Sequence, residues 1–212
     1  MSIEERIKDY AAGRPAKRAR KRKEWEPPSF GEFLDGAVLA YDQGAFCTGW
    51  CYFWKSSETG LVVLDKGVFK EPPVPGLKSH ADTLQRATWM AERIQAHIHE
   101  QRLMPSDLNE FWIVHEMPPI QGWRPEVSLM GALAIRLATE RSLHRVVSVA
   151  NQHMRSVLVG SERNDGSKRV VKEALARYGR FVGDGWNEHN RDALALGLTF
   201  LYDEKRRTDE SR

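Results

Sequence analysis

The sequence contains few cysteines and no long apolar run, and each scarcity excludes a class of protein. Its two cysteines, Cys47 and Cys51, lie on one predicted strand, about 13 Å apart at ~3.3 Å per residue, which is too far for a disulfide between them. The sequence has no Cys-x-x-Cys pair or Cys/His set that would bind zinc. No apolar run approaches the roughly 18–20 residues of a membrane span, and residues 1–10 lack the apolar core of a signal peptide. We therefore expect a cytoplasmic protein with no membrane anchor. We also expect no small-molecule cofactor.

Acidic residues are absent from residues 14–23, where positive charge is concentrated. The chain of 212 residues has a formal net charge of +3, and seven basic residues lie in this stretch, which leaves the remainder mildly acidic at −4. Such a block predicts a nucleic-acid-binding arm, although a merely solubilising tail has the same composition. The basic residues are Arg14, Lys17, Arg18, Arg20, Lys21, Arg22 and Lys23.

Hydrophobic periodicity predicts one α/β domain. Residues 1–30 have few apolar anchors and are expected to form the arm and a linker, residues 31–204 the domain, and residues 205–212 a polar tail. Three β-rich runs predict an antiparallel meander, and the later alternation of helix and strand predicts a mixed five-stranded sheet flanked by helices. The predicted strands cover residues 37–42, 48–54, 61–69, 111–116 and 145–150, and the predicted helices cover 79–103, 126–141, 167–178 and 188–204.

Three acidic residues stand where predicted strands end or a predicted helix begins. Asp42 and Glu116 each end an apolar run, and His189 and Asp192 are three residues apart on one helical face. Acids that converge from such places suit a hard divalent cation such as Mg²⁺, and together they match a two-metal nuclease layout. Taken singly, each has a structural alternative: acids at strand ends are common, and His189 with Asp192 would also be a first-turn feature that complements the helix dipole.

Four segments of the sequence match, in order, the pattern of one known family. They are residues 39–44 with Thr48 and Gly49, residues 114–116, the basic stretch of residues 155–160 and 166–171, and residues 189–195. These segments resemble the first strand, the glutamate strand, the DNA-contacting segment and the closing helix of the RuvC-type Holliday junction resolvases, which have the RNase H-like fold. The resemblance covers about residues 36–203 and departs from the family at Gln43, where proline is common, and at Arg155, where lysine is common.

This resemblance implies a metal-dependent endonuclease that hydrolyses phosphodiesters of four-way DNA junctions. Mg²⁺ is the implied metal, and Mn²⁺ is expected to substitute for it. Asp42, Glu116, His189 and Asp192 would hold the metal, and Lys168 would complete the catalytic set. Glu188 lies four residues before Asp192 and is the alternative to His189 as a ligand. Because a symmetric junction needs two coordinated cuts, a homodimer is expected.

Basic and aromatic residues are predicted to contact the branched DNA. Arg155 and Lys168 would hold the scissile strand or offset charge in the transition state. Lys172 shares a helical face with Lys168, and the alternative for this pair is a solvated stripe. Trp123 would stack on an unpaired base beside Arg124, although a tryptophan is also a common core anchor. In the arm, the predicted contacts are Lys17, Arg18, Arg20, Lys21, Arg22 and Lys23.

Two other functions remain open at this point. The same site would serve a nuclease for flaps or other branched DNA, and a protein with an inactive site would bind DNA through its arm. Intact Asp42, Glu116 and Asp192 argue against the second, because an unused site tends to lose an acid. Elsewhere, His97 and His99 are expected to lie on a solvated flank of the first helix.

Overall fold

A five-stranded mixed sheet forms the centre of the fold. The computed structural model describes residues 25–43, 47–70, 79–102, 111–117, 145–160, 168–181, 183 and 185–212. The strands are β1 (Gly36–Gln43), β2 (Cys47–Ser56), β3 (Gly60–Lys70), β4 (Trp112–Met117) and β5 (Val146–Ala150). In the spatial order β3-β2-β1-β4-β5, the first three strands pair antiparallel, whereas β4 pairs parallel to both β1 and β5. The predicted meander and mixed sheet are confirmed.

Helices cover both faces of this sheet within the described residues. They are α1 (Ser79–Arg102), α2 (Asn151–Leu158), α3 (Lys168–Leu175) and α4 (Glu188–Glu210). Residues Met90, Ala91, Ile94 and Ile98 of α1 pack on one face of the sheet, and the apolar side chains of α2, α3 and α4 pack on the other. Every residue of β1 is buried, as expected for a central strand covered on both sides. No helix among the described residues is long and apolar enough to cross a membrane.

Two helices differ from the prediction. Helix α2 follows β5 without a linker and was not expected, because its N-cap residue Ala150 provides no side-chain cap and the sequence therefore lacks a start signal there. Helix α4 continues to Glu210 instead of ending at residue 204. Its last turns carry pairs of opposite charge, Lys205 with Asp209 and Arg206 with Glu210, spaced four residues apart, and such pairs stabilise exposed helix. The predicted helix at 126–141 lies outside the described residues.

The prediction for His97 is wrong, since its side chain is only 5 % exposed. Its Nδ1 atom shares a hydrogen bond of 3.0 Å with the hydroxyl of Tyr41 on β1, and its ring packs on Trp50 at a centroid distance of 4.1 Å. His99 is exposed, as expected. The apolar stripe of α1 is therefore wide enough to bury an imidazole three residues after Ile94, and burial lowers the pKa of His97 to about 4.

Candidate active site

The ends of β1 and β4 and the first turn of α4 bring the three predicted acids together. Tyr41 is paired with His115 in parallel register, so the next residues, Asp42 and Glu116, lie side by side on the sheet face that α4 covers. Asp192 enters from α4 and is 6 % exposed. An Asn187 N-cap fixes the start of this helix, because its side chain accepts a hydrogen bond from the backbone N–H of Asn190 at 3.1 Å.

His189 lies between Asp42 and a cysteine. Its Nδ1 atom is 3.1 Å from Oδ2 of Asp42, and its Nε2 atom is 3.2 Å from Sγ of Cys47. These two hydrogen bonds, first that to Asp42 and then that to Cys47, raise the pKa of His189 to about 10. At neutral pH the ring is therefore an imidazolium that donates to both partners and compensates the Asp42 charge. In this arrangement it has no free lone pair for a metal.

Glu116 is a buried carboxyl group that lies beside the other acids of the cluster. Burial raises its pKa to about 8, and the neighbouring charge of Asp42 and a hydrogen bond to it add to this shift. A hydrogen bond thus joins the side chains of Glu116 and Asp42. The side chain of Asn151, the first residue of α2, also hydrogen bonds to Glu116 and favours its ionised form. Asn151 in turn accepts a hydrogen bond of 2.9 Å from Nε of Arg155.

Cations surround the third acid. Burial raises the pKa of Asp192 to about 6, the charge of Asp42 adds to this, and the charges of Arg155 and Lys168 oppose it. The predicted basic residues Arg155 and Lys168 therefore act electrostatically on the cluster. Nζ of Lys168 also lies 2.5 Å from Oε1 of Glu188, a hydrogen bond that lowers the pKa of Glu188. Glu188 is thus paired with a cation at the rim of the cluster.

A polar network on the opposite face of the sheet joins the strand ends that carry the acids. The side-chain amide of Gln43 donates to the backbone oxygen of Glu116, which also lies 2.9 Å from Nδ1 of His115. The other ring nitrogen of His115 is 2.8 Å from the hydroxyl of Ser148 on β5. Gln43, at the position where the family commonly has proline, thereby holds β1 to β4 directly behind the cluster.

The donor set has the chemistry of a site for a hard cation. Three carboxylates and an imidazole are the ligand types that Mg²⁺ and Mn²⁺ accept, and the charge of Asp42 adds to the raised pKa values of Glu116 and Asp192, which are due mainly to burial. In the part of the chain that the structure describes, no three His, Cys, Asp or Glu side chains are arranged to hold an ion. His189 and Glu116 are each hydrogen bonded to Asp42, so the donor types fit a divalent ion whereas the present orientations of the side chains do not enclose one.

Other predicted contacts are less closely connected to the cluster. Lys172 is exposed on α3, one turn after Lys168. Trp123, Arg124 and the arm residues Lys17, Arg18, Arg20, Lys21, Arg22 and Lys23 lie outside the described residues.

Sequence reasoning missed Cys47 and Asn151 as members of the site. Cys47 was considered only for disulfides and zinc, although its place at the start of the strand after Asp42 is a signal that it lies near the cluster. Asn151 directly follows the apolar run of β5, which is the same kind of position as those of Asp42 and Glu116. An amide at the end of a buried strand is therefore as informative as an acid in that position.

Comparisons with known proteins give likeness in structure only. No family model matches the chain, and no curated protein matches its sequence. The structure of Thermus thermophilus RuvC is similar with a TM-score of 0.61 and 16% identity, over 81% of this chain and 97% of that chain. The T. thermophilus RuvC complex with a Holliday junction substrate has a TM-score of 0.57 and 16% identity, over 82% and 97% of the two chains. The yeast mitochondrial Holliday junction resolvase Ydc2 has a TM-score of 0.53 and 13% identity, over 83% and 82%. The resemblance found in the sequence is thus confirmed at the level of the fold, which is the RNase H-like fold of the RuvC-type resolvases.

Proposed function

We propose that this protein is a divalent-metal-dependent endonuclease that cleaves four-way DNA junctions. The observation that carries the proposal is the convergence of Asp42, Glu116 and Asp192 with His189 on an RNase H-like sheet. The similarity in fold to RuvC in complex with a Holliday junction substrate, and to the Holliday junction resolvase Ydc2, supports the choice of substrate.

Each residue of the cluster has a distinct proposed role. Asp42, Glu116 and Asp192 would hold Mg²⁺ or Mn²⁺, with His189 or Glu188 as a further ligand. The bound metal would supply an activated water and stabilise the leaving 3′-oxygen. Hydrolysis in this way would produce 5′-phosphate and 3′-hydroxyl ends. Arg155 and Lys168 would hold the scissile strand beside the acids, where their positive charge offsets the charge that develops on the phosphate.

Ligation by His189 requires a change in its protonation. The imidazolium described above must lose one proton before a ring nitrogen can bind a metal. The competing ligand Glu188 is already ionised but is paired with Lys168. Electron–nuclear double resonance of the protein loaded with Mn²⁺ would distinguish these two ligands, because only His189 would give a hyperfine coupling from a nitrogen bound to the metal.

A panel of DNA substrates tests the proposal. The purified protein with Mg²⁺ is given a mobile four-way junction, a flap and a linear duplex of the same sequence. Preferential junction cleavage with ligatable ends is expected. Equal cutting of the flap would favour the broader branched-DNA nuclease, and binding without any cutting would favour a DNA-binding protein with an inactive site. Sedimentation of the protein with and without the junction measures the expected homodimer.

A further inference from the structure

Asn151 lies where β5 becomes α2, beside the acid at the end of β4. In the parallel ladder Val149 is paired with Glu116, so the chain enters α2 only two residues after the partner of that acid. The helix is held in place by Met154 and Leu158, which are buried in the same core as the apolar residues of α4. The ladder and this packing therefore set the position of Asn151, and its half-buried side chain contributes little to the core.

The two polar atoms of the Asn151 side chain have different partners. Nε of Arg155 donates to Oδ1 at 2.9 Å. Because a guanidinium has no acceptor, the atom that faces it must be the amide oxygen. The amide nitrogen is thus turned towards Glu116, whose side chain forms the second hydrogen bond of Asn151. An amide N–H only donates, so an oxygen of Glu116 accepts this bond.

This amide joins two groups to which the proposed function gives different tasks. Arg155 lies four residues after Asn151, on the same face of α2, and its positive charge also acts on Asp192. Glu116 is one of the three acids of the cluster. A carboxylate has lone pairs on both oxygens, so Glu116 can accept from Asn151 and still face an ion. Outer partners of this kind fix the orientation in which a ligand meets a metal.

Resting on the function proposed above, we propose that Asn151 is a positioning residue: its amide, held by Arg155, orients the carboxylate of Glu116 towards a divalent cation. Arg155 then has two opposite effects on metal binding. Its charge repels a second cation at the acid cluster, whereas its hydrogen bond to Asn151 favours binding by fixing the amide. A purely electrostatic role of Arg155 lacks the second effect, so the two accounts can be separated by experiment.

Titration with Mn²⁺, followed through the electron paramagnetic resonance of the free ion, measures metal affinity without DNA or cleavage. We expect Asn151→Ala to bind Mn²⁺ ~10–100-fold more weakly than the unsubstituted protein, the loss typical of an outer partner of a metal ligand. Gln152→Ala is the matched control, because Gln152 is the next residue of α2 and is exposed. It should bind Mn²⁺ as the unsubstituted protein does. Thermal melting without metal should give the same transition for both variants, which shows that the lost affinity is not a loss of fold.

Replacing Arg155 with alanine in two backgrounds tests the connection between Arg155 and Asn151. In the Asn151→Ala background the replacement only relieves repulsion, so Mn²⁺ should bind more tightly. In the unsubstituted background it also releases the amide, so the gain should be smaller or reversed. We expect the two effects to differ by about fivefold or more, as for residues that act through one contact.

Two outcomes would overturn the inference. In one, Asn151→Ala binds Mn²⁺ within twofold of Gln152→Ala; in the other, the substitutions at positions 151 and 155 change the affinity additively. Failure of the proposed function gives a different result: the unsubstituted protein binds Mn²⁺ and the Asn151→Ala variant binds it weakly, but the unsubstituted protein cuts no four-way junction in Mg²⁺. In that case the role of Asn151 at the metal site stands and the proposed substrate does not.

Discussion

Asp42 lies at a buried strand end, where an uncompensated carboxylate is costly. The structure shows the compensation: an imidazolium at His189 on one side and a hydrogen bond with the side chain of Glu116 on the other. The acids themselves were predictable from their positions after apolar runs. The hydrogen bond between the thiol of Cys47 and Nε2 of His189 was not predictable. The position of Cys47 after Asp42 signals only that it lies near the cluster, and the contact itself depends on how α4 packs over β2.

His97 gives a residue-scale prediction about stability. Its pKa is lowered to about 4 by burial, so below about pH 6.5 the unfolded chain binds a proton that the folded protein does not. The free energy of unfolding should then fall as the pH falls from 6.5 to 4, by at most about 1.4 kcal/mol per pH unit. Urea unfolding at pH 7 and pH 5 should show that His97→Gln loses this dependence. The exposed His99→Gln variant is the control and should behave as the unsubstituted protein; equal pH dependence in all three would contradict the prediction.

At the scale of elements, the approach of α4 to β2 determines the geometry of the site. Asp42 is paired with Gly49 across the β1–β2 ladder, and a β-carbon at Gly49 would lie 2.4 Å from both the backbone carbon and the Cβ of His189. Only a glycine allows the first turn of the helix to lie this close to the strand. The Thr48-Gly49 pair, noted in the sequence as a motif, therefore has a packing reason.

Replacing Gly49 with alanine should displace the start of α4 and separate His189 from Asp42. We expect a loss of about 1–3 kcal/mol in the free energy of unfolding, typical of an overpacked site, and a fall of ~10–100-fold in junction cleavage. Gly31→Ala is the matched control, since nothing lies within 4 Å of a β-carbon there. Cleavage at the unsubstituted rate by Gly49→Ala would show that the close approach does not matter.

The five strands and α1 were predictable because their apolar residues repeat at strand and helix spacing over long stretches. Helix α2 was not, since it is eight residues long, starts directly after β5 and buries only Met154 and Leu158 among its side chains. The last turns of α4 were missed for another reason: they are polar on every side, and charge pairs rather than burial support them. Hydrophobic periodicity thus predicts helices and strands that bury an apolar face. It misses short helices that depend on tertiary packing, and helical turns that are stabilised by charge pairs.

Trp123, which lies outside the described residues, carries a prediction made from the sequence. If Trp123 wedges open the crossover, Trp123→Ala should slow junction cleavage, and a junction with unpaired bases at its centre should restore most of the rate, because unstacking costs ~a few kcal/mol per step. A core role predicts instead a loss of about 3–5 kcal/mol in stability. A destabilised variant that is equally slow on both junctions would rule out the wedge.

For the whole molecule, the distribution of charge matters more than its sum. A mildly acidic body would repel DNA at long range, and we expect the basic residues 14–23 to offset this repulsion as a duplex approaches. The charge imbalance was evident from the sequence. The packing of Trp25 could not be predicted from the sequence, because the residues that it contacts, Gly160 and Arg177, are more than 130 residues away along the chain.

Deleting residues 1–23 should weaken DNA binding at low salt and flatten its salt dependence. Each phosphate that the arm no longer neutralises reduces the slope of log K against log salt by ~0.9 on duplex DNA. Deleting residues 1–13 is the control, because it keeps all seven basic residues of the arm. Fluorescence anisotropy at several salt concentrations gives the slopes, and an identical slope in both deletions would leave the arm without a role in affinity. Cleavage of junctions already saturated with protein should persist in both.

The central claim is that the acid cluster holds the metal that cuts DNA, and Asp42→Asn tests it most directly. The substitution removes a ligand but no residue proposed to bind DNA. With saturating protein and Mg²⁺ on a four-way junction, we predict that the variant cleaves at less than about a tenth of the unsubstituted rate, since catalysis requires the bound metal. Its junction affinity without metal should remain within about twofold, because every basic residue that neutralises a phosphate is still present. A variant that binds equally well and cuts at more than a tenth of that rate would contradict the account.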